Sequence, residues 1–265
     1  MPELPDVEVF RRYFDSTSLH QRIAGIALLA HDLRRIGRDD ELEAALLGKE
    51  FTGSRRHGKY FFADLEEDKW LMLHFGMTGY LKYFGDMDEE PQHMRLRVDF
   101  DNGAHLGYTC QRKLGSILVV ENMAQFIKNE GLGPDALDPA LDVEAFSDAL
   151  SGSRSTVKAA LMEQERIAGI GNIYSDEILY RARVHPGARA NRLNSHVWQD
   201  LFNATGEVLQ TAIDCEVDPE RFPADYLLPH RHKDGRCPCG GELVQRKISG
   251  RTAYFCPTCQ TRGVT

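Results

Sequence analysis

The start of the chain carries a residue that could act as a covalent nucleophile. It reads Met1-Pro2-Glu3-Leu4-Pro5. Removal of Met1 would expose the secondary amine of Pro2, which can attack an aldehyde-like carbon and form an iminium ion. An α-amino group titrates at about 7.7–8.0 in model peptides, so unprotonated amine is available near neutral pH. Glu3 could then act as general acid or base for the same carbon. The alternative is that a Met-Pro-Glu start has no chemical role.

A second candidate site lies near the C-terminus, where four of the six cysteines form two close pairs: Cys237, Cys239, Cys256 and Cys259. Four thiolates spaced in this way suit one tetrahedral, structural Zn²⁺ ion. The sixteen residues between the pairs predict two strands joined at Ser249-Gly250. We therefore expect a zinc ribbon, a hairpin too small to be stable without its metal. Cys110 and Cys215 have no such partners and are expected to be buried thiols.

Composition restricts the class of protein and leaves the partner open. The chain has 265 residues, 42% hydrophobic and 27% charged, which is typical of a soluble globular protein. We find no apolar run of membrane-spanning length and no signal segment, so we expect no membrane partner and a cytosolic, bacterial-type location. The net charge of −8 argues against nucleic acid. However, residues 230–265 contain seven basic and two acidic side chains, and a local basic groove is sufficient for DNA.

The elements that must position these residues change in type along the chain. Helical spacing of Leu4, Val7, Phe10 and Phe14 predicts an N-terminal helix on a core. Five β-like runs follow, at 23–29, 51–65, 70–84, 96–108 and 116–120, with a hairpin turn signal at 101–103. Glycine and proline at 131–135 mark a boundary. Helices are then predicted at 143–150, 157–164 and 173–183, with Ser155-Thr156 capping the second and Ser195 capping a longer fourth helix.

Several motifs occur in one order along the chain: the Pro2-Glu3 start, His57-Gly58-Lys59-Tyr60, His74-Phe75-Gly76-Met77, Gly169-Ile170-Gly171-Asn172, and the cysteine ribbon. Together they closely resemble the formamidopyrimidine-DNA glycosylase/endonuclease VIII (Fpg/Nei) family, from Pro2 to Cys259. The resemblance implies an α+β multidomain fold. It would comprise an N-terminal antiparallel β-sandwich with a flanking helix (1–132), a helix–two-turn–helix domain (133–228) and a zinc ribbon (229–265).

The resemblance also implies roles for residues of the N-terminal half. Pro2 would attack C1′ of the damaged nucleotide, and Glu3 would assist opening of the sugar ring. Lys59 would grip a phosphate beside the lesion, with an ordinary hairpin charge as the alternative. His74 would be a second phosphate ligand, with a core histidine as the alternative.

Residues of the C-terminal half receive roles in the same way. Asn172 and Arg251 would hold a phosphate together, Arg251 from the tip of the ribbon. The alternatives are a plain helix–helix turn and a solvated surface arginine. Glu177 would be a supporting carboxylate near Pro2, with a solvated helix charge as the alternative.

Enzymes that act on a base inside a duplex must first flip the nucleotide out, and the resulting gap must be filled. The resemblance places Met77 there, with Arg112 facing the orphaned base and Leu114 acting as an apolar wedge. Core packing of Met77 and Leu114 is the alternative interpretation.

These roles imply a monomeric, bifunctional DNA glycosylase of base excision repair. It would excise formamidopyrimidines, with 8-oxoguanine as a further candidate, from damaged double-stranded DNA, and then cleave the abasic strand by β,δ-elimination. The alternatives are an oxidised-pyrimidine glycosylase of the endonuclease VIII type, a damaged-DNA-binding protein that does not cut, and a zinc-ribbon interaction protein with an unrelated enzyme domain.

The chain departs from the family pattern in several places. The first cysteine pair is one residue shorter than usual, which displaces Cys237 and makes His232 a conceivable substitute. Asp6 stands where many members have Glu, and Leu114 replaces a commoner aromatic wedge. Residues 214–236 lack the long Gly-Thr-rich loop that covers flipped 8-oxoguanine in formamidopyrimidine enzymes. The preferred lesion therefore stays open.

Overall fold

The computed structural model describes residues 1–29, 32–65, 69–261 and 263. Arg262, one of the basic residues counted in the C-terminal segment, lies outside the described residues. The chain forms two compact units. The first contains Met1–Pro2 and Asp6–Glu130, and the second contains Glu3–Pro5 and Gly131–Thr265.

In the part of the first unit that the structure describes, there are two sheets and three α-helices. Its elements are α1 (Leu4–Ser18), β1 (Ile23–Leu28), β2 (Arg35–Ile36), α2 (Asp39–Leu46), β3 (Phe51–His57), β4 (Tyr60–Leu65), β5 (Lys69–His74), β6 (Gly79–Phe84), β7 (Met94–Phe100), β8 (His105–Cys110), β9 (Ser116–Val120) and α3 (Met123–Asn129). One sheet has the antiparallel order β1-β7-β8-β6. The other has the order β2-β9-β5-β4-β3, antiparallel except for the short β2–β9 pair.

Aromatic side chains fill the core of the first unit. Phe14 of α1 packs edge-on against Phe51 and Phe61, with ring centroids 5.0 Å and 4.9 Å away. Such tilted contacts add to the stabilisation that burial of the rings provides. The core therefore holds α1 against strands β3 and β4, as the apolar spacing of the helix predicts.

The second unit is helical and ends in a hairpin. Its elements are α4 (Val143–Ser151), α5 (Val157–Met162), α6 (Asn172–Arg181), α7 (Ser195–Asp214), β10 (Val244–Ile248) and β11 (Arg251–Phe255). Short 3₁₀ turns occur at Ala190–Arg192, Pro219–Arg221 and Leu228–His230 here, and at Met87–Glu89 in the first unit. Leu4 belongs to the apolar core of this second unit, together with Ile170 and Tyr174.

The structure confirms the predicted fold class and corrects several local details. Thr156 caps α5, but the cap of α7 is Asn194 instead of Ser195, since the Asn194 side chain accepts from the Val197 N–H. Cys110 is buried, as predicted, whereas Cys215 is only partly buried because it ends α7 at the surface. The run 70–84 contains two strands, β5 and β6, which belong to different sheets. Within the described part of the chain, no helix combines the length and apolarity needed to cross a bilayer.

Two glycines should respond in opposite ways to substitution by alanine. A Cβ atom on Gly115 would lie 1.9 Å from the Tyr108 hydroxyl and 2.7 Å from the His74 carbonyl, whereas Gly206 in α7 has open space. We expect Gly115→Ala to lower the free energy of unfolding by about 3 kcal/mol through overpacking. Gly206→Ala should raise it by about 0.5–1 kcal/mol because alanine favours the helix. Urea denaturation measures both, and an equal effect of the two changes would contradict this account.

Candidate active site

The carboxylate of Glu3 lies at the N-terminus of α6. Its Oε2 accepts hydrogen bonds from the Gly171 N–H at 2.7 Å and the Tyr174 N–H at 3.3 Å, and its Oε1 accepts from the Ile173 N–H at 2.8 Å. The first amides of a helix have no partner within the helix, and the positive end of the helix dipole attracts an anion. Glu3 is only 1% exposed. The carboxylate is therefore held in one place before any ligand arrives.

Two glycines allow this close approach. A Cβ atom on Gly171 would lie 2.3 Å from Cδ of Glu3, and one on Gly169 would lie 2.5 Å from the Leu4 side chain. Gly169 also has a φ of +115°, which side chains other than glycine rarely tolerate. Its carbonyl accepts the Leu4 N–H at 3.0 Å. The two glycines therefore let the backbone of residues 169–171 approach Leu4 and Glu3 closely.

Pro2 directly precedes this anchored residue and is partly exposed. In the full sequence Met1 occupies the Pro2 nitrogen, so a free secondary amine exists only after Met1 is removed. The amine would then stand one residue from a fixed carboxylate. A nucleophile beside an oriented acid or base is the arrangement that covalent catalysis needs.

Lys59 and His74 lie in the first unit, on the sheet that contains β4 and β5. Lys59 follows Gly58 in the turn between β3 and β4, and His74 ends β5 opposite Tyr60 in the β4–β5 register. The Nδ1 atom of His74 accepts the Gly76 N–H at 3.2 Å, so the neutral ring carries its proton on Nε2. Burial, together with the positive charges of Lys59, Arg34 and Arg35, lowers the pKa of His74 to about 4. His74 is therefore a neutral hydrogen-bond donor at physiological pH.

Met77 and Leu114 are exposed, so the core-packing interpretation of both residues is wrong. Their side chains are 37% and 40% accessible. The loops that carry them are in direct contact, because a Cβ atom on Gly76 would lie 2.6 Å from the carbonyl carbon of Leu114. The Arg112 N–H also donates to Oγ1 of Thr78 at 3.1 Å. The structure therefore presents two large apolar side chains and one exposed cation on joined loops.

Asn172 and Arg251 lie in the second unit. Asn172 is the first residue of α6, and its Oδ1 is buried without a hydrogen-bond partner among the described residues. A buried polar atom of this kind suggests an absent ligand. Arg251 begins β11, is exposed, and lines a cavity of about 220 Å³ together with Lys158 and Glu163. The tip that carries Arg251 is tied to the start of α5 by a 2.9 Å contact between the hydroxyls of Thr156 and Ser249.

A buried ionic network behind Asn172 was not predicted from the sequence. The ammonium group of Lys158 donates to Asp176 at 2.7 Å and to the carbonyl of Asn172 at 3.1 Å. The other carboxylate oxygen of Asp176 accepts from Arg231 at 2.9 Å and from the Tyr254 N–H at 3.2 Å. Burial lowers the pKa of Lys158, and the nearby Asp176 opposes this effect. No local motif signals this network, because its members come from α5, α6, β11 and the segment between α7 and β10.

Glu177 is buried, so the interpretation as a solvated helix charge is wrong. Its two carboxylate oxygens accept the Leu227 N–H at 2.9 Å and the Leu228 N–H at 2.6 Å. Burial raises the pKa of Glu177 to about 7, although these two amides and Arg181 oppose the effect. The carboxylate holds the segment that leads into the ribbon. A supporting role near Pro2 stays a prediction.

The four predicted cysteines come together in space. Their Sγ atoms all lie within 4.8 Å of one another, and among the described residues they form the one group of three or more metal-binding side chains. Cys237 is 3.7 Å from Cys259 and Cys239 is 3.7 Å from Cys256, measured between Sγ atoms. The shortened first pair therefore still brings both of its thiols to the cluster. His232 is not needed as a substitute ligand.

Comparison with known proteins agrees with this arrangement of a β-rich domain, a helix–two-turn–helix and a cysteine hairpin. Residues 1–117 match the formamidopyrimidine-DNA glycosylase N-terminal domain, and residues 132–222 match the H2TH domain of formamidopyrimidine-DNA glycosylase. The formamidopyrimidine-DNA glycosylase of Streptomyces coelicolor is 34% identical, with 98% of each chain covered. That of Pelotomaculum thermopropionicum is 31% identical, covering 98% of this chain and 99% of the relative.

Solved structures show the same architecture. The Lactococcus lactis Fpg in complex with an abasic-site DNA is 28% identical, with a TM-score of 0.86, covering 98% of this chain and all of that one. MutM in complex with DNA containing carbocyclic 8-oxo-G is 30% identical, with a TM-score of 0.86, covering 98% of this chain and 99% of that one. The fold and the site define the class of helix–two-turn–helix proteins with a terminal cysteine hairpin. Within that class, the chain belongs to the formamidopyrimidine-DNA glycosylase (Fpg/Nei) family.

The raised pKa of Glu177 should make stability depend on pH. Between the ordinary value of 4.5 and about 7, the folded protein binds this proton more tightly than the unfolded chain does. The free energy of unfolding should therefore fall as pH rises through this window. Glu177→Gln removes the titration. We expect the stability of the wild type relative to this variant to fall by up to about 3 kcal/mol between pH 4.5 and 7.5.

Chemical denaturation at several pH values in this range measures the difference between the two proteins. Glu165→Gln, which changes an exposed side chain in the same unit, is the matched control. If the free energies of unfolding of the wild type and Glu177→Gln change with pH in parallel, the pKa of Glu177 is not raised.

Proposed function

We propose that this protein is a DNA glycosylase of base excision repair, with abasic-site lyase activity, that excises oxidised bases from double-stranded DNA. Its membership of the family supports this proposal. The observation that carries it is the Glu3 carboxylate, directly after Pro2, which three amides at the N-terminus of α6 hold in place. Buried carboxylates rarely occupy such a position without a chemical or structural need.

The reaction begins with the Pro2 amine after removal of Met1. The amine nitrogen forms a bond to C1′ of the damaged nucleotide, the bond to the base breaks, and the electron pair leaves with the base. The attached nitrogen gives its proton to the departing base, and Glu3 delivers a proton to the sugar-ring oxygen. The C1′–O4′ bond then breaks, and the nitrogen lone pair forms the C=N bond of an iminium ion. The iminium makes the C2′ proton acidic. Its removal expels the 3′ phosphate, and a second elimination expels the 5′ phosphate.

Each unit carries candidate phosphate ligands of its own. Lys59 supplies a positive charge, and His74 supplies a neutral Nε2–H donor. Asn172 supplies an amide with a buried, unpartnered oxygen, and Arg251 supplies an exposed guanidinium. Contacts of these kinds position a duplex without reading its sequence.

The joined loops of Met77 and Leu114 fill the gap that the flipped nucleotide leaves. Apolar side chains that enter a base stack compensate part of the cost of a few kcal/mol for flipping. Both side chains are exposed and ready for this contact. Arg112, on the same loop as Leu114, is exposed and able to face the orphaned base.

We further infer that the cysteine cluster binds one Zn²⁺. Four sulfur ligands at these separations suit tetrahedral coordination, and the ion would act structurally by closing the hairpin. The division into domains 1–132, 133–228 and 229–265, the monomeric state and the cytosolic location are also proposals.

Two features of the chain favour different lesions. The Arg112 loop resembles the formamidopyrimidine branch of the family, which favours formamidopyrimidines and 8-oxoguanine. The short segment 214–236 resembles the endonuclease VIII branch, which favours oxidised pyrimidines. Side-by-side excision from duplexes containing formamidopyrimidine, 8-oxoguanine or thymine glycol distinguishes the two. Binding without excision on all three duplexes would favour a protein that recognises damage and does not cut.

Borohydride trapping with a duplex that contains one abasic site tests the mechanism. We expect a covalent adduct on the N-terminal peptide at Pro2, in a protein whose mass lacks Met1. Glu3→Gln should lose base excision but keep DNA binding, since the change removes a proton-transfer group and keeps its size. An adduct on Lys59 would overturn the assignment of the nucleophile. A mature protein that retains Met1 would exclude the Pro2 mechanism.

Arg251→Ala should weaken binding to all lesion duplexes alike. Loss of one phosphate contact should also reduce the slope of log affinity against log salt concentration by about one. Fluorescence anisotropy titrations at several salt concentrations measure both effects. Arg38→Ala is the control, because Arg38 is an exposed arginine paired with Asp40. An equal change of slope in the two variants would contradict the role of Arg251.

A further inference from the structure

One side chain braces the loop that leads into α6. The amide of Gln164 uses its Nε2 to donate to the carbonyls of Met162 and Ile170, both at 2.8 Å. Its Oε1 accepts the Gly169 N–H at 3.0 Å. Both amide hydrogens and the oxygen of this side chain are therefore engaged in the same loop. The side chain closes the turn between α5 and α6.

The backbone of residues 169–171, which Gln164 braces, also binds the start of the chain. The Gly169 carbonyl accepts the Leu4 N–H at 3.0 Å, and the Gly171 N–H donates to Oε2 of Glu3 at 2.7 Å. Backbone groups from 169 to 171 thus alternate between Gln164 and the N-terminal segment. Gln164 bonds the Gly169 N–H and the Ile170 carbonyl, while Leu4 and Glu3 bond the Gly169 carbonyl and the Gly171 N–H.

The peptide unit between Ile170 and Gly171 connects Gln164 to Glu3. In a planar trans peptide the C=O and N–H groups point in opposite directions. The carbonyl of this unit accepts from Gln164, and its N–H donates to Glu3. A hydrogen bond accepted at the carbonyl fixes the plane of the peptide and strengthens the donor at the other end. The orientation of the Gln164 side chain therefore influences the position of the Glu3 carboxylate through the rigid peptide unit between them.

This loop needs a brace because its sequence supplies little rigidity. Neither Gly169 nor Gly171 can carry a Cβ atom without a severe clash, so both positions must remain glycine. Glycine is the residue with the greatest backbone freedom. Without a cross-link, the 170–171 peptide could rotate and withdraw its N–H from Glu3. The bonds from Gln164 oppose that rotation.

We propose that Gln164 is a positioning residue for the acid/base function of Glu3. This inference rests on the proposed glycosylase function and deepens it. Gln164 acts through the 170–171 peptide on the Glu3 carboxylate. It should therefore affect the excision step, and it should leave phosphate binding by Arg251 and its neighbours unchanged.

Two variants of similar size test the proposal. Gln164→Glu keeps an acceptor for the Gly169 N–H but sets a carboxylate against two carbonyl oxygens. Gln164→Met keeps the length of the side chain and removes all three hydrogen bonds. Gln199→Glu is the matched control, because Gln199 is a partly exposed glutamine on α7 whose amide bonds only Asn203 among the contacts described. Single-turnover excision, duplex affinity and amide hydrogen exchange are measured for each protein.

We expect kcat for excision to fall by about 10- to 100-fold in both Gln164 variants, with duplex Kd within about twofold of the wild type. Exchange of the peptide that contains the Gly171 amide should accelerate. Adding Gln164→Glu to Glu3→Gln should cause no further loss of excision, because the two changes remove one function. Gln199→Glu should behave as the wild type does.

Several outcomes would overturn the positioning role. These are a folded Gln164 variant with wild-type kcat, an equal loss of kcat and duplex affinity, an additive loss in the double variant, or failure of both Gln164 variants to fold. If the hydrogen-exchange rate of the Gly171 amide is unchanged in the Gln164 variants, Gln164 does not brace this peptide, whatever the excision activity. Absence of excision by the wild type on every lesion duplex would instead refute the proposed function, so the two failures are distinguishable.

Discussion

The contact between the Glu3 carboxylate and the first amides of α6 is the constraint on which the site depends. It joins the start of the chain to a helix that begins at Asn172, and it requires glycine at 171 because a Cβ atom there would collide with Glu3. It also explains why Glu3–Pro5 pack with the helical unit, whereas α1 from Asp6 onward packs with the β-rich unit. One anion at a helix terminus thereby fixes the residue next to the proposed nucleophile.

Buried charges in the second unit are compensated within it, so the acidic net charge does not argue against the proposed binding of DNA. The buried Lys158 is compensated by Asp176, which also accepts from Arg231, and none of these charges needs to face solvent. His74 stays neutral and still offers a donor. The net charge of −8 therefore says little about the local field at Lys59 or Arg251. A few donors at fixed positions can bind phosphates more specifically than a generally basic surface can.

Close backbone packing fixes two loops of the β-rich unit in place. Gly76 and Gly115 leave no space for a side chain, so the loops that carry Met77 and Leu114 contact each other directly. Fixing two loops in this way keeps large apolar side chains exposed, where they would otherwise tend to fold back onto the core. Large apolar side chains exposed together are typical of an interaction surface, which supports the proposed contact with DNA.

The sequence alone determined the fold class, the order of its elements, the Pro2-Glu3 pair and the four cysteines. The order of the elements and the two residue sets depend on periodicity and short spacing, which act within a few residues of chain. The fold class followed from the resemblance of the whole chain to a family. Only the tertiary structure decided that Met77 and Leu114 are exposed and that Glu177 and Lys158 are buried. It also decided that Gln164 and Glu3 bond opposite ends of one peptide. The physical reason is that a hydrogen bond between distant segments depends on where the folded backbone places its donors and acceptors. Local sequence patterns do not contain the distance between those groups in space.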